Sequence, residues 1–349
     1  DSIANSDAII ICVPTPLSKT KGPDLSYVLS ASDQIAKRLK LHTLVVLEST
    51  TYPGTTEELI LPRLQQAEDQ NLEVGKDFYL AFSPERIDPG QSDWNISNTP
   101  KVLGGVTSMC TNMANHLYSC IIQEIVTVSS PNVAEMVKLL ENTYRMTNIA
   151  LVNELAIMCD ILGIDVWEVV DAAKTKPFGF APFSPGPGLG GHCIPVDPHY
   201  LSWKLQTLDY KARFIRLSEE INLGMPPYWV GKVQEALNQI GKPANGARIL
   251  ILGVAYKKDV SDTRESPALD IIELLHDKGA TVSYHDPYIP ILKTDGYQLT
   301  SIGDADLEKN IASADCVMIV TDHSSYNWDL VSRRANISVD TRNALKKQH

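Results

Sequence analysis

The chain has 349 residues, of which 44% are hydrophobic and 21% charged, as in an ordinary globular protein. Acidic residues outnumber Lys and Arg by 42 to 31, and the net charge of −11 argues against nucleic acid as the main partner. No apolar run approaches the roughly 20 residues that span a membrane, and the N-terminus lacks the pattern of a signal peptide. The six scattered cysteines include no C-x-x-C pair, so we expect a cytoplasmic protein without disulfides and with at least two domains.

The first third of the chain alternates strand-like and helix-like patterns. The apolar run at residues 8–13 is rich in β-branched side chains, which is typical of a buried parallel strand. Further strands are predicted at 43–47, 78–82, 101–104 and 121–128, and helices at 25–41 and 56–69. This alternation predicts a parallel α/β sheet.

The middle of the chain carries the longest helical pattern. Ser130 can cap this helix, Pro131 suits its first position, and no breaker follows until Gly163. A helix over residues 131–162 would be roughly 45 Å long, enough to join two lobes and to offer an apolar face to a second subunit. The elements predicted next are a helix at 165–174, a Pro- and Gly-rich loop at 176–198, and helical structure over 200–240 with a break at Pro226-Pro227.

The last third returns to an α/β pattern. Strands are predicted at 248–254, 281–285, 315–321 and 337–340, with a helix at 267–278. These elements predict a second, smaller sheet of the mononucleotide-binding type.

The glycine-rich loop contains the cysteine best suited to chemistry. Residues 186–191 match G-x-G-x-x-G, but they do not lie between a strand and a helix, so we reject a dinucleotide site there. Cys193 follows between His192 and Asp197, in a setting that favours an accessible thiolate. The alternative is a buried, inert thiol, which we expect of Cys12, Cys159 and Cys316. A zinc site formed by His192, Cys193 and His199 is a weaker alternative, because its spacing fits no common pattern.

The long helix also carries a polar stripe. Glu135, Lys138, Asn142 and Arg145 share one face, opposite an apolar face that includes Val133, Met136, Val137, Leu140 and Tyr144. A solvated polar face is the simplest interpretation. Against it, a lysine and an asparagine one turn apart can stabilise a developing oxyanion.

Basic residues follow two predicted strands of the second lobe. The segment at 253–259 precedes Arg264, and Ser266 can begin a helix, which together resemble a phosphate site. Arg342 follows the last predicted strand at the same carboxyl edge. Two such clusters on one edge favour ligand binding over a solvated loop.

Seven stretches of sequence together resemble the nucleotide-sugar 6-dehydrogenase family, which includes the UDP-glucose and GDP-mannose dehydrogenases. They are VPTP (13–16), ESTTYPGTT (48–56), FSPERIDPG (82–90), KLLENTYR (138–145), PGPGLGGHCIPVDPHYL (185–201), GVAYKKDVSDTRESPA (253–268) and VDTRNAL (339–345). The GGHC form of the loop resembles the branch that oxidises UDP-N-acetylated hexosamines, especially UDP-N-acetylglucosamine. His192 stands where UDP-glucose enzymes have serine.

The resemblance implies an α/β fold with two Rossmann-like parallel-sheet lobes joined by the long helix. It implies an NAD-binding domain at 1–130, a central helical dimerisation domain at 131–230, and a UDP-sugar-binding domain at 231–349. It also implies oxidation of a primary alcohol to a carboxylate by two NAD through a cysteine thioester, a homodimer or higher oligomer, and a role in polysaccharide biosynthesis.

The family pattern also assigns roles to individual residues. Cys193 would be the nucleophile, Lys138 and Asn142 would hold the oxyanion, Asp197 would order the lysine and a water, and Glu85 would act as acid/base. The residues implied to contact NAD are Val13, Thr15, Ser49, Thr50 and Arg264. Those implied to hold the nucleotide sugar are Glu85, Arg86, Lys138, Asn142, Gly188, Gly190, Tyr256, Lys257 and Arg342.

The family's opening strand, G-x-G-x-x-G turn and helix have no counterpart in this sequence. At about 30 residues per βα unit, we expect that roughly 90 residues of the first lobe are missing. The alternatives to UDP-N-acetylglucosamine are UDP-N-acetylmannosamine and UDP-glucose as substrates. A catalytically silent fragment that binds a nucleotide sugar is a further alternative.

Overall fold

The apolar runs predicted as strands form sheets in the computed structural model, which describes residues 2–18, 22–66, 71–88, 93–294, 296 and 298–345. The strands are β1 (Ala8–Ile11), β2 (Leu44–Leu47), β3 (Tyr79–Phe82), β4 (Lys101–Gly105), β5 (Ile125–Thr127), β6 (Arg248–Leu252), β7 (Thr281–His285), β8 (Ile291–Lys293), β9 (Gln298–Thr300), β10 (Cys316–Ile319) and β11 (Ser338–Asp340). The α-helices are α1 (Ser26–Ala36), α2 (Leu61–Gln65), α3 (Ser108–Ser119), α4 (Pro131–Leu162), α5 (Val166–Ala173), α6 (Asp197–Gln206), α7 (Arg213–Gln239), α8 (Pro267–Asp277), α9 (Asp304–Ser313) and α10 (Trp328–Arg334).

The chain divides into two compact units. Unit 1 comprises residues 1–144 and 196–213, and unit 2 comprises residues 145–195 and 214–349. The long helix α4 contributes its first part to unit 1 and the rest to unit 2. None of the helices in the described residues is both long and apolar enough to cross a membrane.

Unit 1 contains a five-stranded sheet in the order β1-β2-β3-β4-β5. Strands β1, β2 and β3 are parallel, and their register aligns Ile11 with Leu47 and Leu47 with Phe82. The carboxyl ends of the three strands therefore meet at one edge. All four residues of β2 are buried, as expected for a strand covered on both faces.

The predicted all-parallel arrangement of this sheet is wrong at one position. Strand β4 pairs antiparallel with β3, and β5 then pairs parallel with β4. Parallel neighbours usually need a helical crossover. Within residues 83–88 and 93–100, the described part of the β3–β4 connection, no helix forms, so the chain returns in the opposite direction.

The helices of unit 1 differ from the prediction at their ends. Helix α1 ends at Ala36, five residues before the predicted end at Leu41. The next helix begins at Thr56 with a π-helical turn, continues as α2, and has its predicted end at Asp69 outside the described residues. Helix α3 lacks a counterpart among the predicted elements; the side chain of Thr107 caps its start.

Helix α4 has the predicted bounds. The hydroxyl of Ser130 accepts a hydrogen bond from the Val133 N–H at 3.4 Å. Gly163 adopts a φ of 69°, a left-handed conformation that ends the helix and that glycine adopts without strain.

The helical region after the glycine-rich loop is divided differently from the prediction. Helix α6 begins at Asp197, inside the predicted loop, and α7 continues through Pro226 and Pro227 without a break. The interruption lies at residues 207–212, where Asp209 adopts a left-handed φ of 57°. Each proline removes one helical N–H donor, but the turns that follow it stay helical. The two helices are separated at Asp209 instead, by its left-handed backbone conformation.

Unit 2 contains the predicted second sheet. Its four strands lie in the order β11-β10-β6-β7 and are all parallel. One face packs against α7 and α8 through a core that includes Val233, Ile251 and Ile271. The sequence patterns did not predict the β8–β9 hairpin or the helices α9 and α10.

Candidate active site

The carboxyl edge of β1 and β2 carries four of the residues expected to contact NAD. The Ser49 hydroxyl donates a hydrogen bond to the Val13 carbonyl at 2.7 Å and approaches the Ile11 carbonyl at 3.3 Å. The Thr15 carbonyl accepts a hydrogen bond from the buried Tyr200 hydroxyl of α6. The loops after both strands are thus joined, with Thr50 half-buried beside Ser49.

A second polar cluster at this edge was not predicted. The Glu48 carboxylate accepts a 2.5 Å hydrogen bond from the Tyr118 hydroxyl and pairs with Lys101 at 2.9 Å. Cys12 lies 3.5 Å from the same carboxylate, and partial burial together with Glu48 raises its pKa to about 11. Cys12 is exposed, contrary to the prediction that it is buried. These residues are distant in sequence and come together only in the folded unit, so no local sequence motif could reveal the cluster.

Helix α4 reverses the polarity expected of an amphipathic helix. Glu135 and Lys138 are buried, so the interpretation of the stripe as a solvated face is wrong for them. Several residues of the apolar face are instead exposed. They are Val133, Met136, Leu140 and Tyr144.

Glu135 binds the start of the helix that follows β2. Its carboxylate accepts hydrogen bonds from the Gly54 N–H at 2.6 Å, the Thr56 N–H at 2.9 Å and the Thr56 hydroxyl at 2.7 Å. Burial raises the pKa of Glu135 to about 7, although these three donors oppose the shift. A helix N-terminus attracts a carboxylate, so Glu135 connects α4 to the segment that carries Ser49 and Thr50.

Four residues expected to be catalytic lie together in unit 1. The Lys138 ammonium donates to the Glu85 carbonyl at 2.7 Å, and the Asn142 amide donates to the Asp197 carboxylate at 2.5 Å. Burial raises the pKa of Asp197 to about 7, against the opposing effects of Lys138 and Asn142. Asp197 therefore changes its protonation state near neutral pH, which suits proton transfer. The Glu85 carboxylate accepts hydrogen bonds from the N–H groups of the next two residues.

Arg86, expected to contact substrate, is held by a residue that sequence reasoning missed. Its guanidinium pairs with the Glu141 carboxylate at 2.6 Å and donates to the Pro100 carbonyl at 2.5 Å. These residues line a cleft of about 420 Å³ with the exposed Trp94 and with Asp88.

In unit 2, the glycine-rich loop is fixed at both ends by hydrogen bonds. The Gly186 N–H donates to the Asn153 side chain at 2.9 Å, and the Gly186 carbonyl accepts from the Trp229 indole at 3.0 Å. The Gly191 N–H donates to the Arg264 carbonyl at 3.0 Å. Backbone groups of the loop therefore determine where Cys193 lies.

The same loop packs directly on Tyr256, and this contact requires glycine. A Cβ added at Gly190 would lie 2.9 Å from the Cβ of Tyr256. One at Gly191, whose φ is 99°, would lie 3.0 Å from the tyrosine ring. Gly188 packs in a similar way against Pro267.

Cys193 is exposed, as predicted, while Cys159 and Cys316 are buried. Its Sγ lies 3.8 Å from Nδ1 of His192, whose pKa is lowered by burial and by Arg264. In the described residues, no group of three or more His, Cys, Asp or Glu side chains is arranged to hold a metal ion, including around His192, Cys193 and His199.

The remaining residues expected to bind ligand follow β6 and β11 in the same sheet. Tyr256 and Lys257 are half-buried. Arg264 is bound to Asp262 through Nη2 at 2.7 Å and is largely exposed. The Arg342 guanidinium donates to the Val320 carbonyl at 3.0 Å and would lie 2.7 Å from a Cβ at Gly186. The β6 and β11 residues thus share one carboxyl edge, as predicted.

The two units with parallel strands, and the polar residues at the carboxyl edges of those strands, are typical of an α/β dehydrogenase. Three models of the UDP-glucose/GDP-mannose dehydrogenase family match the chain: the NAD binding domain at residues 1–122, the central domain at 132–223, and the UDP binding domain at 250–347. The chain belongs to this family and is an NAD-dependent nucleotide-sugar 6-dehydrogenase.

Individual relatives cover most of the chain. The UDP-N-acetyl-D-mannosamine dehydrogenase of Methanococcus maripaludis is 38% identical, over 93% of this chain and 71% of the relative. The UDP-N-acetyl-D-glucosamine 6-dehydrogenase of Pseudomonas aeruginosa is 39% identical, over 81% of this chain and 66% of the relative. The solved structure of a UDP-D-ManNAc dehydrogenase from Pyrococcus horikoshii is 36% identical, with a TM-score of 0.86, and the match covers 98% of this chain and 79% of that one.

We expect NAD to bind at the carboxyl edge of the sheet in unit 1. Ligands of open α/β sheets bind outside the carboxyl ends of the strands. There the Thr51 hydroxyl, next to Thr50, is buried without a hydrogen-bond partner. A buried polar atom left unpaired is costly, so this hydroxyl is consistent with a polar ligand at the edge.

We predict that Glu135 makes the stability of the protein depend on pH. Its pKa rises from an ordinary 4.5 to about 7 on folding, so the folded state binds more protons between these values. The contribution of Glu135 to the free energy of unfolding therefore falls as the pH rises through this window, by about 3 kcal/mol. Urea unfolding at pH 5, 6, 7 and 8 should show this fall in the parent, relative to the Glu135→Gln variant.

Glu273→Gln, which changes an exposed carboxylate on α8, is the control and should leave the pH dependence unchanged. Parallel curves for the parent and Glu135→Gln across this range would contradict the prediction.

Proposed function

We propose that the enzyme oxidises the 6-hydroxymethyl group of a UDP-N-acetylated hexosamine to a carboxylate, with Cys193 as the covalent nucleophile. One observation carries the proposal. The loop that bears the exposed Cys193 packs on Tyr256 and is hydrogen-bonded at Gly191 to the Arg264 carbonyl, within the UDP binding domain's own unit. A nucleotide bound at Tyr256 would therefore lie in the same compact unit as the Cys193 thiol.

In the proposed reaction, the hydroxymethyl group first loses its hydroxyl proton to a base and a hydride from its carbon, and becomes an aldehyde. The Cys193 thiolate then adds to that carbon, and loss of a second hydride gives a thioester. Water hydrolyses the thioester to the acid and regenerates the thiol. When bound, NAD would accept the hydrides, one for each of two NAD molecules.

The proposed roles of the unit 1 residues follow from their burial and charge. Lys138, buried and positively charged, and Asn142 would stabilise the oxygen on which negative charge develops. Asp197, with a pKa of about 7, would accept or return a proton and keep Asn142 oriented. Glu85 would serve in the hydrolytic step, in which a base activates water.

The remaining proposed contacts concern binding. Val13, Thr15, Ser49, Thr50 and Arg264 are proposed to contact NAD, and Arg86, Gly188, Gly190, Tyr256, Lys257 and Arg342 to hold the nucleotide sugar with Glu85, Lys138 and Asn142. The Arg86–Glu141 ion pair fixes the direction of Arg86 before any substrate binds. We also propose the three functional domains at 1–130, 131–230 and 231–349.

Two epimeric substrates remain candidates within this proposal. The GGHC loop favours UDP-N-acetylglucosamine, the substrate named for the Pseudomonas aeruginosa relative. UDP-N-acetylmannosamine is favoured by the names of several relatives that match nearly the whole chain. We therefore propose the mannosamine epimer as the leading candidate and the glucosamine epimer as the second.

We predict that either N-acetylated substrate is oxidised faster than UDP-glucose. A site that pairs a polar substrate group discriminates strongly against a substrate that lacks it, because its own buried polar atoms are then left unpaired. Initial rates of NADH formation with UDP-N-acetylmannosamine, UDP-N-acetylglucosamine and UDP-glucose test this directly. A preference for UDP-glucose would refute the assignment to N-acetylated substrates, and the faster epimer decides between the two candidates.

We predict that Cys193→Ala stops acid formation, because it removes the atom that forms the thioester. Cys193→Ser should react slowly and accumulate a covalent sugar ester, since serine is a poorer nucleophile and its ester hydrolyses more slowly. Chromatographic quantification of the sugar acid measures the first effect, because the first hydride transfer can give NADH without Cys193, and peptide mapping by mass spectrometry locates the adduct. Lys138→Ala should lower kcat while leaving nucleotide binding largely intact.

Cys120→Ala, which removes another exposed thiol, is the matched control and should retain full activity. Acid formation by Cys193→Ala, or an adduct on a different residue, would overturn the proposed role of Cys193.

We further propose that α4 forms the core of a two-fold dimer. Exposed apolar side chains recur along the helix at intervals of about three, four or seven residues, which keeps them on one face. They are Val133, Met136, Leu140, Tyr144, Leu151, Met158, Ile161 and Leu162. A contiguous apolar stripe of this length is typical of a subunit interface, and a two-fold axis lets the same stripe serve both partners.

We predict that light scattering gives the mass of a dimer or a multiple of it. Replacing Leu140 and Leu151 by Glu should dissociate the assembly, because two charges on each copy would be buried without partners. The pair Leu208→Glu and Tyr210→Glu, at exposed positions outside the helix, is the control. A parent protein that is monomeric at micromolar concentration would contradict the dimer.

A further inference from the structure

A buried histidine and a buried aspartate lie beneath the loop that carries Tyr256 and Lys257. We refer to this loop, residues 253–262, as the nucleotide loop. The side chain of His323 is fully buried, and Asp286 is 3% exposed. The proposed chemistry uses neither of them, and both lie in unit 2.

Asp286 holds the first half of the nucleotide loop. Its Oδ2 accepts hydrogen bonds from the Val254 N–H at 2.7 Å and the Ala255 N–H at 3.0 Å. Its Oδ1 accepts from the Tyr288 N–H at 2.8 Å, which fixes the carboxylate after β7. Burial alone would raise the pKa of Asp286, but its hydrogen bonds from His323 and Val254 leave that pKa lowered.

His323 holds the other half of the loop. Its Nδ1 accepts a hydrogen bond from the Asp259 N–H at 2.9 Å, so Nδ1 carries no proton. Its Nε2 lies 3.0 Å from Oδ2 of Asp286, an acceptor, so Nε2 must carry the proton. The two contacts together select one neutral tautomer of the imidazole.

The backbone at Asp259 needs the hydrogen bond to His323. Asp259 adopts a φ of 59°, a left-handed conformation that is unfavourable for a residue with a side chain. The Asp259 carboxylate accepts hydrogen bonds from the Ser324 N–H at 2.8 Å and the Ser324 hydroxyl at 2.7 Å. Residues 323 and 324, just after β10, therefore fix Asp259 through its N–H and its side chain.

We propose that His323 is a positioning residue for nucleotide binding. In its Nε2–H tautomer it joins Asp286 to Asp259 and so clamps the nucleotide loop on both sides of Tyr256 and Lys257. The inference rests on the proposed function, in which these two residues hold the UDP part of the substrate. A clamped loop binds more tightly because less conformational freedom is lost when the ligand arrives.

The test uses His323→Leu, which removes both contacts at similar volume, and His323→Asn, whose amide oxygen can replace Nδ1 as the acceptor for Asp259. The matched control is His285→Leu. His285 is also buried in unit 2; its side chain contacts Tyr326 and Asp304, and its backbone carbonyl, which the substitution keeps, accepts a hydrogen bond from the Gly253 N–H of the loop.

Three readouts are needed with the full chain. UDP is titrated by calorimetry without NAD, kcat and KM are measured with the preferred UDP-sugar, and hydrogen exchange is followed at the amides of Val254, Ala255 and Asp259. For His323→Leu we expect UDP binding about tenfold weaker and KM raised to match, as for a lost buried hydrogen bond, with kcat little changed. Exchange at the loop amides should accelerate, His323→Asn should be intermediate, and His285→Leu should resemble the parent.

The proposal is overturned if His323→Leu binds UDP as tightly as the parent, or if kcat falls while KM is unchanged. It is also overturned if His285→Leu weakens UDP binding equally, because the effect would then be a general loss of stability. If His323→Leu does not fold, His323→Asn takes its place, and parental UDP affinity together with unchanged exchange at the loop amides in that variant overturns the proposal. A parent that fails to bind UDP, but whose loop exchange accelerates in the variants, would refute the proposed nucleotide contacts and leave the clamp supported.

Discussion

The buried polar face of α4 is the constraint on which unit 1 depends. Burying a carboxylate and an ammonium costs several kcal/mol for each ion unless their hydrogen bonds are replaced. Glu135 recovers three donors at Gly54 and Thr56, and Lys138 recovers the Glu85 carbonyl. Rotating the helix by one position would leave both charges unpaired. The same contacts that stabilise the helix therefore determine the direction of Lys138 and Asn142.

In unit 2, the absence of a side chain at two glycines is the comparable constraint. Gly190 and Gly191 let the loop approach Tyr256 more closely than any Cβ would allow, and hydrogen bonds to the Gly186 and Gly191 backbones fix its two ends. The contact surface is thus backbone against an aromatic ring. Such a contact costs little side-chain conformational entropy, because glycine has no rotamers to lose. The glycine-rich segment is therefore ordered, although its composition is typical of a flexible loop.

The sequence was most informative where one physical signal dominates. Apolar β-branched runs located the strands of both sheets, and the capping pattern located both ends of α4. The orientation of α4 could not be predicted, because which face is buried depends on Gly54 and Thr56, about 80 residues away in the chain. The Glu48–Lys101 pair was missed for the same reason, since it forms only when β2 and β4 enter one sheet. The helix break predicted at Pro226-Pro227 was wrong. Whether a helix continues past two missing backbone N–H donors depends on its surroundings in the fold, which the sequence does not show. Family resemblance gave the expected site residues; the structure adds Glu141, which pairs with Arg86, and shows that Glu135 of the polar stripe is bound to Gly54 and Thr56.

The packing of the cysteine loop on Tyr256 has a consequence for an oxidation that proceeds in two stages. An aldehyde released halfway would be hydrated or would react with amines elsewhere. In the proposed reaction, the nucleotide end of the substrate and its sulfur-bound carbon are both attached to unit 2, one by non-covalent contacts and the other by a bond. The chance that the half-oxidised sugar escapes is then the chance that both attachments fail together. A reactive carbonyl held in this way meets the thiol at an effective concentration far above that of any free aldehyde in solution.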